Sequence, residues 1–135
     1  MKTISALLVL LFSMARLVPA CAEETLFRAA IDADGMQRVE IQGGGYFFTP
    51  NHVVVKVHVP VELKVRKEAG WVPHNIVMNE PEAGIVFDVP LSDEPRLIKF
   101  TPAKTGIYPF YCSKKLLFFE SHREKGMHGQ LEVIE

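Results

Sequence analysis

The sequence of 135 residues contains no hydrophobic run long enough to cross a membrane as a helix. The uncharged run near the N-terminus, residues 3–15, ends at Arg16 and is far shorter than the roughly 20 residues that a membrane span requires. Lys2, the apolar residues 4–12 and Ala20-Cys21-Ala22 instead follow the order of a secretory signal peptide. We therefore expect a signal peptide at residues 1–22 and one mature domain at residues 23–135.

Cysteine is scarce, with only Cys21 and Cys112 in the whole chain. Cleavage after Ala22 would remove Cys21 and thereby exclude an intramolecular disulfide in the mature domain. A single thiol in an exported protein is unusual unless a ligand occupies it. Residues 18–21 also resemble a lipoprotein box, in which Cys21 would carry a lipid anchor, although Pro19 matches such a box poorly.

A large excess of charge of either sign is also absent. The chain has 15 Lys and Arg residues against 16 Asp and Glu residues, a net charge of −1 with histidines neutral. Residues 1–22 contain Lys2 and Arg16 and no acidic residue, so the mature domain would have a net charge of −3. This balance gives no reason to expect nucleic acid as a partner.

Long helical stripes are absent as well, and the dominant pattern is the period-2 alternation of strands. Apolar and polar residues alternate over residues 53–65, where Pro60 predicts either two short strands or one bent edge strand. The other predicted strands are residues 26–33, 37–41, 74–78, 96–100, 107–112 and 130–134. Seven or eight short strands separated by Gly and Pro turns indicate an all-β, antiparallel β-sandwich.

Four side chains with metal-binding atoms are predicted to meet at one end of this sandwich. The alternation of the strand that ends at Cys112 places its thiol on the inward face, and the alternation of the last strand points Met127 to the same end. His122 lies in the loop between them, and His74 begins another predicted strand. Two histidines and a cysteine with a weak axial methionine suit a copper ion that cycles between Cu(I) and Cu(II).

Five stretches of the chain match the sequence pattern of a known protein family. They are Tyr46-Phe47-Phe48-Thr49-Pro50, Val53-Val54-Val55-Lys56-Val57, Pro73-His74-Asn75, Gly106-Ile107-Tyr108-Pro109-Phe110-Tyr111-Cys112, and His122 with Met127. Over residues 46–135 the chain thereby resembles the cupredoxins, the small blue-copper proteins of the plastocyanin and azurin kind. The resemblance implies a Greek-key β-sandwich that binds one copper ion through His74, Cys112, His122 and Met127, with Asn75 connecting the two ligand loops.

The loop between Cys112 and His122 departs from this resemblance. Nine residues separate the two ligands, more than in the familiar cupredoxins, and none is the second cysteine that a binuclear copper centre would need. Its apolar segment, Leu116-Leu117-Phe118-Phe119, would either cover the site as a lid or form an exposed patch for a redox partner. The local charge of residues 114–125 is +2, which predicts a partner with an acidic rim.

The other histidines are assigned lesser roles. His52 and His58 fall on the solvent-facing positions of their strand region, which predicts surface histidines. His128 adjoins Met127 and is an alternative nitrogen ligand to His122, although strand alternation would turn it outward.

These features predict a periplasmic mononuclear copper protein that carries single electrons between redox partners, such as a cytochrome or a membrane oxidase or reductase. The protein is not expected to be an enzyme, because four protein ligands leave no open position for a substrate. The alternative is a periplasmic protein that holds Cu(I) for delivery. A third class is a copper-free interaction module. We expect a monomer without a membrane span.

Overall fold

The computed structural model describes residues 23–135, so the predicted signal peptide and Cys21 lie outside the described residues. This part of the chain forms ten strands: β1 (Leu26–Arg28), β2 (Gln37–Gly44), β3 (Phe47–Thr49), β4 (His52–Lys56), β5 (Val61–Lys67), β6 (Asn75–Glu80), β7 (Ile85–Pro90), β8 (Arg96–Phe100), β9 (Gly106–Tyr111) and β10 (His128–Ile134). One short 3-10 helix, Pro81–Ala83, lies between β6 and β7. Within residues 23–135 no helix has the length and apolar character of a membrane span.

The strands form two sheets that enclose one core. Six strands make the first sheet in the order β1-β4-β10-β9-β6-β7, and four make the second in the order β3-β2-β5-β8. Strand alternation sends one row of side chains from each sheet into the space between them. The core includes Val39, Ile41, Leu63 and Val65 from the second sheet and Val53, Val55, Ile76, Leu131 and Val133 from the first. The predicted all-β sandwich is confirmed.

Both sheets are mixed, whereas the sequence predicted antiparallel pairing and seven or eight strands. β4 runs parallel to β1 and to β10, and β2 runs parallel to β5. The physical reason is that the chain changes sheets: after β4 it turns through residues 57–60 and enters β5 in the opposite sheet. The consecutive strands β4 and β5 are then not sheet neighbours, and strands of the same direction become adjacent to them.

Some predicted strand boundaries differ from those in the structure. The run over residues 53–65 is two strands, as one of the two alternatives predicted, with His58 at a φ of 61° in the turn between them. β1 ends at Arg28 rather than at residue 33. β7, an edge strand that ends at Pro90, was not predicted because its outward-facing Val86 is apolar and disguises the alternation. The three-residue β3 was also missed.

The strand ends next to the predicted ligands meet at one end of the sandwich. Cys112 directly follows β9, Met127 directly precedes β10 and His74 directly precedes β6. β9 pairs antiparallel with both β10 and β6, so the end of β9 lies beside the starts of its two neighbours. Three neighbouring strands of the first sheet therefore carry three of the four predicted ligands to the same place.

Candidate metal centre

His74, Cys112 and His122 form a compact cluster of nitrogen and sulfur atoms. The Nδ1 atoms of the two imidazoles are 3.1 Å apart, and Sγ of Cys112 lies 3.5 Å from Nδ1 of His122 and 3.9 Å from Nδ1 of His74. In the described part of the chain it is the one group of three or more His, Cys, Asp or Glu side chains close enough to share a metal ion. An ion about 2.1 Å from three coplanar donors requires donor separations of roughly 3.6 Å. The observed triangle therefore has the size that a single first-row metal ion needs.

This cluster is closed off from solvent. Cys112 and Met127 have no exposed surface, and His74 and His122 are each 5% exposed. Met127 is tied to two of these residues through the main chain: the amide of Cys112 donates to the carbonyl of Met127 over 3.0 Å, and the amide of Met127 donates to the carbonyl of His122 over 2.9 Å. Met127 thus belongs to the same buried end of the core.

Burial keeps both imidazoles in their neutral form near neutral pH. Burial, followed by the charges of His122 and Lys67, lowers the pKa of His74 to about 4. Burial and the charge of Lys125 likewise lower the pKa of His122. Neutral imidazole is the form that binds a metal ion, so both rings are in the charge state that coordination requires.

The long loop between Cys112 and His122 is a hairpin that returns the chain to its starting point. Lys115 and Ser121 form an antiparallel bridge, and the amide of His122 donates to the carbonyl of Lys114 over 2.9 Å. These contacts close the base of the hairpin beside the end of β9. His122 therefore reaches Cys112 although nine residues separate them in sequence.

Known proteins with this fold were found among solved structures alone, since no protein-family model and no curated protein sequence matches the chain. The metal-binding domain of the Cu(I)-exporting P-type ATPase CopA from Streptococcus pneumoniae D39, solved with Cu(I), is 22% identical and superposes with a TM-score of 0.64 over 84% of this chain and 100% of that domain. A copper-binding protein solved in its apo form by NMR is 25% identical, with a TM-score of 0.57 over 80% of this chain and 96% of its own. Auracyanin A, a blue copper protein of Chloroflexus aurantiacus, is 17% identical, with a TM-score of 0.54 over 74% of this chain and 100% of its own.

The chain has the cupredoxin fold. The groups that could bind a metal ion at the end of the sandwich are two imidazoles and a thiol, and the thioether of Met127 lies in the adjoining core. Soft sulfur favours Cu(I), and imidazole serves both oxidation states of copper. These residues are therefore chemically suited to hold a copper ion.

The apolar tip of the hairpin, residues 116–119, is an exposed patch and not a lid. Its four side chains are between 51% and 84% exposed. Beside it, Trp71 is fully exposed, and Trp71 and Val72 line a cavity of about 490 Å³ together with His122. We call this cavity the His122 cavity. Its walls also carry the charged residues Lys114, Lys115, Lys125 and Glu120.

Asn75 connects the segment that carries His74 to the segment that carries Cys112, as the resemblance implied. Its side chain is buried and forms hydrogen bonds with Ser113 and with Asp88. The contact with Asp88 was not predicted, because Asp88 lies on the unpredicted strand β7, which pairs with β6.

The remaining histidines lie outside the cluster. His128 is the first residue of β10 and is exposed, opposite Tyr111 of β9. His58 is exposed, as predicted. His52 was predicted to be a surface histidine but is partly buried, and its ring is hydrogen-bonded to the carboxylates of Glu24 and Glu132.

One residue that contacts the cluster was not found from the sequence. The ring of Tyr46 packs edge-on against the imidazoles of His122 and His74, with ring centroids 4.9 Å and 6.0 Å away. The sequence signal was the glycine run at residues 43–45, which predicts a tight turn but not the direction of the next side chain.

Proposed function

We propose that this protein is a periplasmic mononuclear copper protein that carries single electrons between redox partners, with His74, Cys112, His122 and Met127 as copper ligands. The observation that carries the proposal is the buried triangle of one Sγ and two Nδ1 atoms, with sides of 3.1, 3.5 and 3.9 Å. A bound copper ion supplies a reversible one-electron couple between Cu(I) and Cu(II).

The residues of the chain favour electron transfer over substrate chemistry. Four protein ligands leave no open position at which a substrate could bind the ion, so we infer that the protein is not an enzyme. The ligands are held by the main-chain bonds that join Cys112, Met127 and His122. Such anchoring limits rearrangement of the donors when the charge of the site changes by one.

The surface proposed to meet a redox partner consists of the apolar tip and the His122 cavity. The cavity reaches the imidazole of His122, and the three lysines and one glutamate on its walls give it a charge of +2. A cytochrome or a membrane oxidase or reductase with an apolar centre and an acidic rim matches this surface.

A titration of the purified protein with Cu(II), followed by visible absorption and electron paramagnetic resonance, tests the redox function. We expect an intense thiolate-to-copper absorption band that saturates at one equivalent. The energy of this absorption band reports how the long hairpin affects the geometry of the copper site. A protein that stays colourless and binds neither Cu(II) nor Cu(I) would be the copper-free interaction module.

Delivery of Cu(I) is the competing function, and the fold is shared with the metal-binding domain of a Cu(I) exporter. The two functions differ in how firmly copper is held. Retention of copper against a weak chelator, with fast and reversible redox cycling, supports electron transfer. Ready release of Cu(I) to the chelator, without an intense absorption band, supports delivery.

The periplasmic location rests on the signal peptide predicted at residues 1–22. N-terminal sequencing of the protein from a periplasmic extract should begin at Glu23. Recovery in the membrane fraction with a lipid on Cys21 would instead establish the anchored form.

A further inference from the structure

Tyr46 has an unusual backbone conformation for a large residue. Gly45 and Tyr46 form the two-residue turn between β2 and β3 and have φ values of 49° and 64°. Hairpin turns with positive φ at both central positions favour glycine and asparagine there, because a side chain with a bulky β-carbon is strained. A tyrosine at this position therefore strains the turn. Contacts made by the tyrosine ring must offset the free energy of this strain.

The ring contacts that offset this cost are with the candidate metal centre. Tyr46 packs edge-to-face on the imidazole of His122, with an interplanar angle of 71°, and on that of His74, with an angle of 85°. Nζ of Lys125 lies 4.5 Å from the centre of the Tyr46 ring. Edge-to-face and cation–π contacts of this kind hold an aromatic ring in one orientation.

Two cavities approach the two imidazoles, and Tyr46 lines both. The His122 cavity reaches His122, and a smaller cavity of about 140 Å³ reaches His74. Both imidazoles are nevertheless only 5% exposed. Tyr46 is thus placed where either route from solvent ends at the cluster.

We propose that Tyr46, held by Lys125, is a lid that restricts the access of water and competing ligands to the cluster while the edge of His122 stays at the base of its cavity. Electron transfer needs only the close approach of a redox partner, whereas ligand exchange needs a path by which water or another ligand reaches the cluster. The lid therefore slows ligand exchange and leaves electron transfer unhindered. Its effect on copper rests on the proposed function, but its effect on the Cys112 thiol does not.

Alkylation of Cys112 by iodoacetamide in the metal-free protein, followed by mass spectrometry, tests the lid without copper. Tyr46→Asn removes the ring and places a residue that the turn favours, so the thermal unfolding temperature should not fall. Alkylation should accelerate roughly five- to tenfold, the factor to which loss of an aromatic contact corresponds. Tyr46→Phe keeps the ring and should alkylate at the wild-type rate. In the copper-loaded protein, Cu(I) removal by excess bathocuproine should accelerate in Tyr46→Asn as well.

A matched control is Tyr111→Ala. Arg123 lies 4.3 Å from the centre of the Tyr111 ring, and strand alternation turns this ring away from the thiol of Cys112. Tyr111→Ala should leave the alkylation rate unchanged. The lid is overturned if Tyr46→Asn alkylates at the wild-type rate or if Tyr111→Ala accelerates alkylation equally. Faster alkylation of Tyr46→Asn in a protein that binds no copper would refute the proposed function and support the lid.

Discussion

Asn75 and Ser113 are joined by two hydrogen bonds of 2.8 Å that run in opposite directions. The main-chain amide of Ser113 donates to Oδ1 of Asn75, and Nδ2 of Asn75 donates to Oγ of Ser113. Nδ2 also donates to Oδ1 of Asp88 over 2.8 Å. Because Asn75 follows His74 and Ser113 follows Cys112, this pair sets the separation of the imidazole and the thiol.

Asn75→Ala should therefore loosen the cluster. It removes every side-chain bond of Asn75 and leaves a main-chain amide without its partner, so the free energy of unfolding of the metal-free protein should fall by about 2–3 kcal/mol in urea titrations. Ser113→Ala keeps the amide bond and should cost only about 1 kcal/mol. Equal losses in the two variants would show that neither the bond from the Ser113 amide nor the bond to Asp88 contributes to stability.

Cys112→Ser should abolish the intense visible absorption of the copper-loaded protein. Replacement of sulfur by oxygen keeps the size and burial of the residue but removes the donor of the charge-transfer transition. Absorption spectra at one equivalent of Cu(II), with copper content measured separately, make the comparison. Full colour in the serine variant would eliminate Cys112 as a ligand.

Met127→Leu should keep one copper ion and raise the reduction potential. Loss of the weak axial donor in an apolar setting favours Cu(I) over Cu(II). A tenfold change in that ratio shifts the potential by about 59 mV, and voltammetry should detect a shift of this order. Met78→Leu is the matched control, since Met78 is an equally buried methionine within β6. A larger shift in the Met78 variant would contradict the assignment of Met127.

The contribution of His52 to the stability of the metal-free protein should fall as the pH rises above about 6.5. Burial opposes the protonation of His52, but hydrogen bonds to Glu24 and Glu132 outweigh it and raise the pKa above its usual 6.5. The protonated form therefore stabilises the folded state, fully below the unfolded pKa, and this contribution is lost as the pH passes through the folded pKa. For partly exposed pairs we expect a loss of about 0.5–1 kcal/mol.

Urea titrations at several values between pH 6 and pH 9 measure this loss. The lowered pKa values of His74 and His122 act in the opposite direction in both proteins, so the His52 contribution is the difference in unfolding free energy between the wild type and His52→Gln, and this difference should shrink as the pH rises. His58→Asn, which changes an exposed histidine in a turn, should retain the wild-type pH dependence. A dependence of the same size in His52→Gln would assign the effect to another group.

The lysines of the His122 cavity should accelerate reactions with anionic reductants. The paired variant Lys114→Gln/Lys115→Gln should reduce the rate of reduction by hexacyanoferrate(II) several-fold at low salt and weaken its dependence on ionic strength. Lys64→Gln/Lys99→Gln, on exposed positions of the second sheet, is the matched control for net charge. Equal effects of the two pairs would show that net charge, and not the cavity, governs the rate.

The sequence by itself determined that the strands have one apolar and one polar face, and which chemical groups the candidate site contains. Alternation is a property of the extended backbone alone, so the inward faces of Cys112 and Leu131 followed from their neighbours in the chain. The order of two histidines, one cysteine and one methionine was equally visible, and the role of these residues as ligands stays a prediction.

The tertiary structure decided which segments lie side by side. The sheet change after β4 produced the parallel pairs, the hairpin base returned His122 to Cys112, and the turn at Gly45 placed Tyr46 on the imidazoles. Each of these depends on strand register and on the direction in which a turn leaves its sheet. Such relations join residues distant in sequence, so no local pattern of apolar and polar residues contains them.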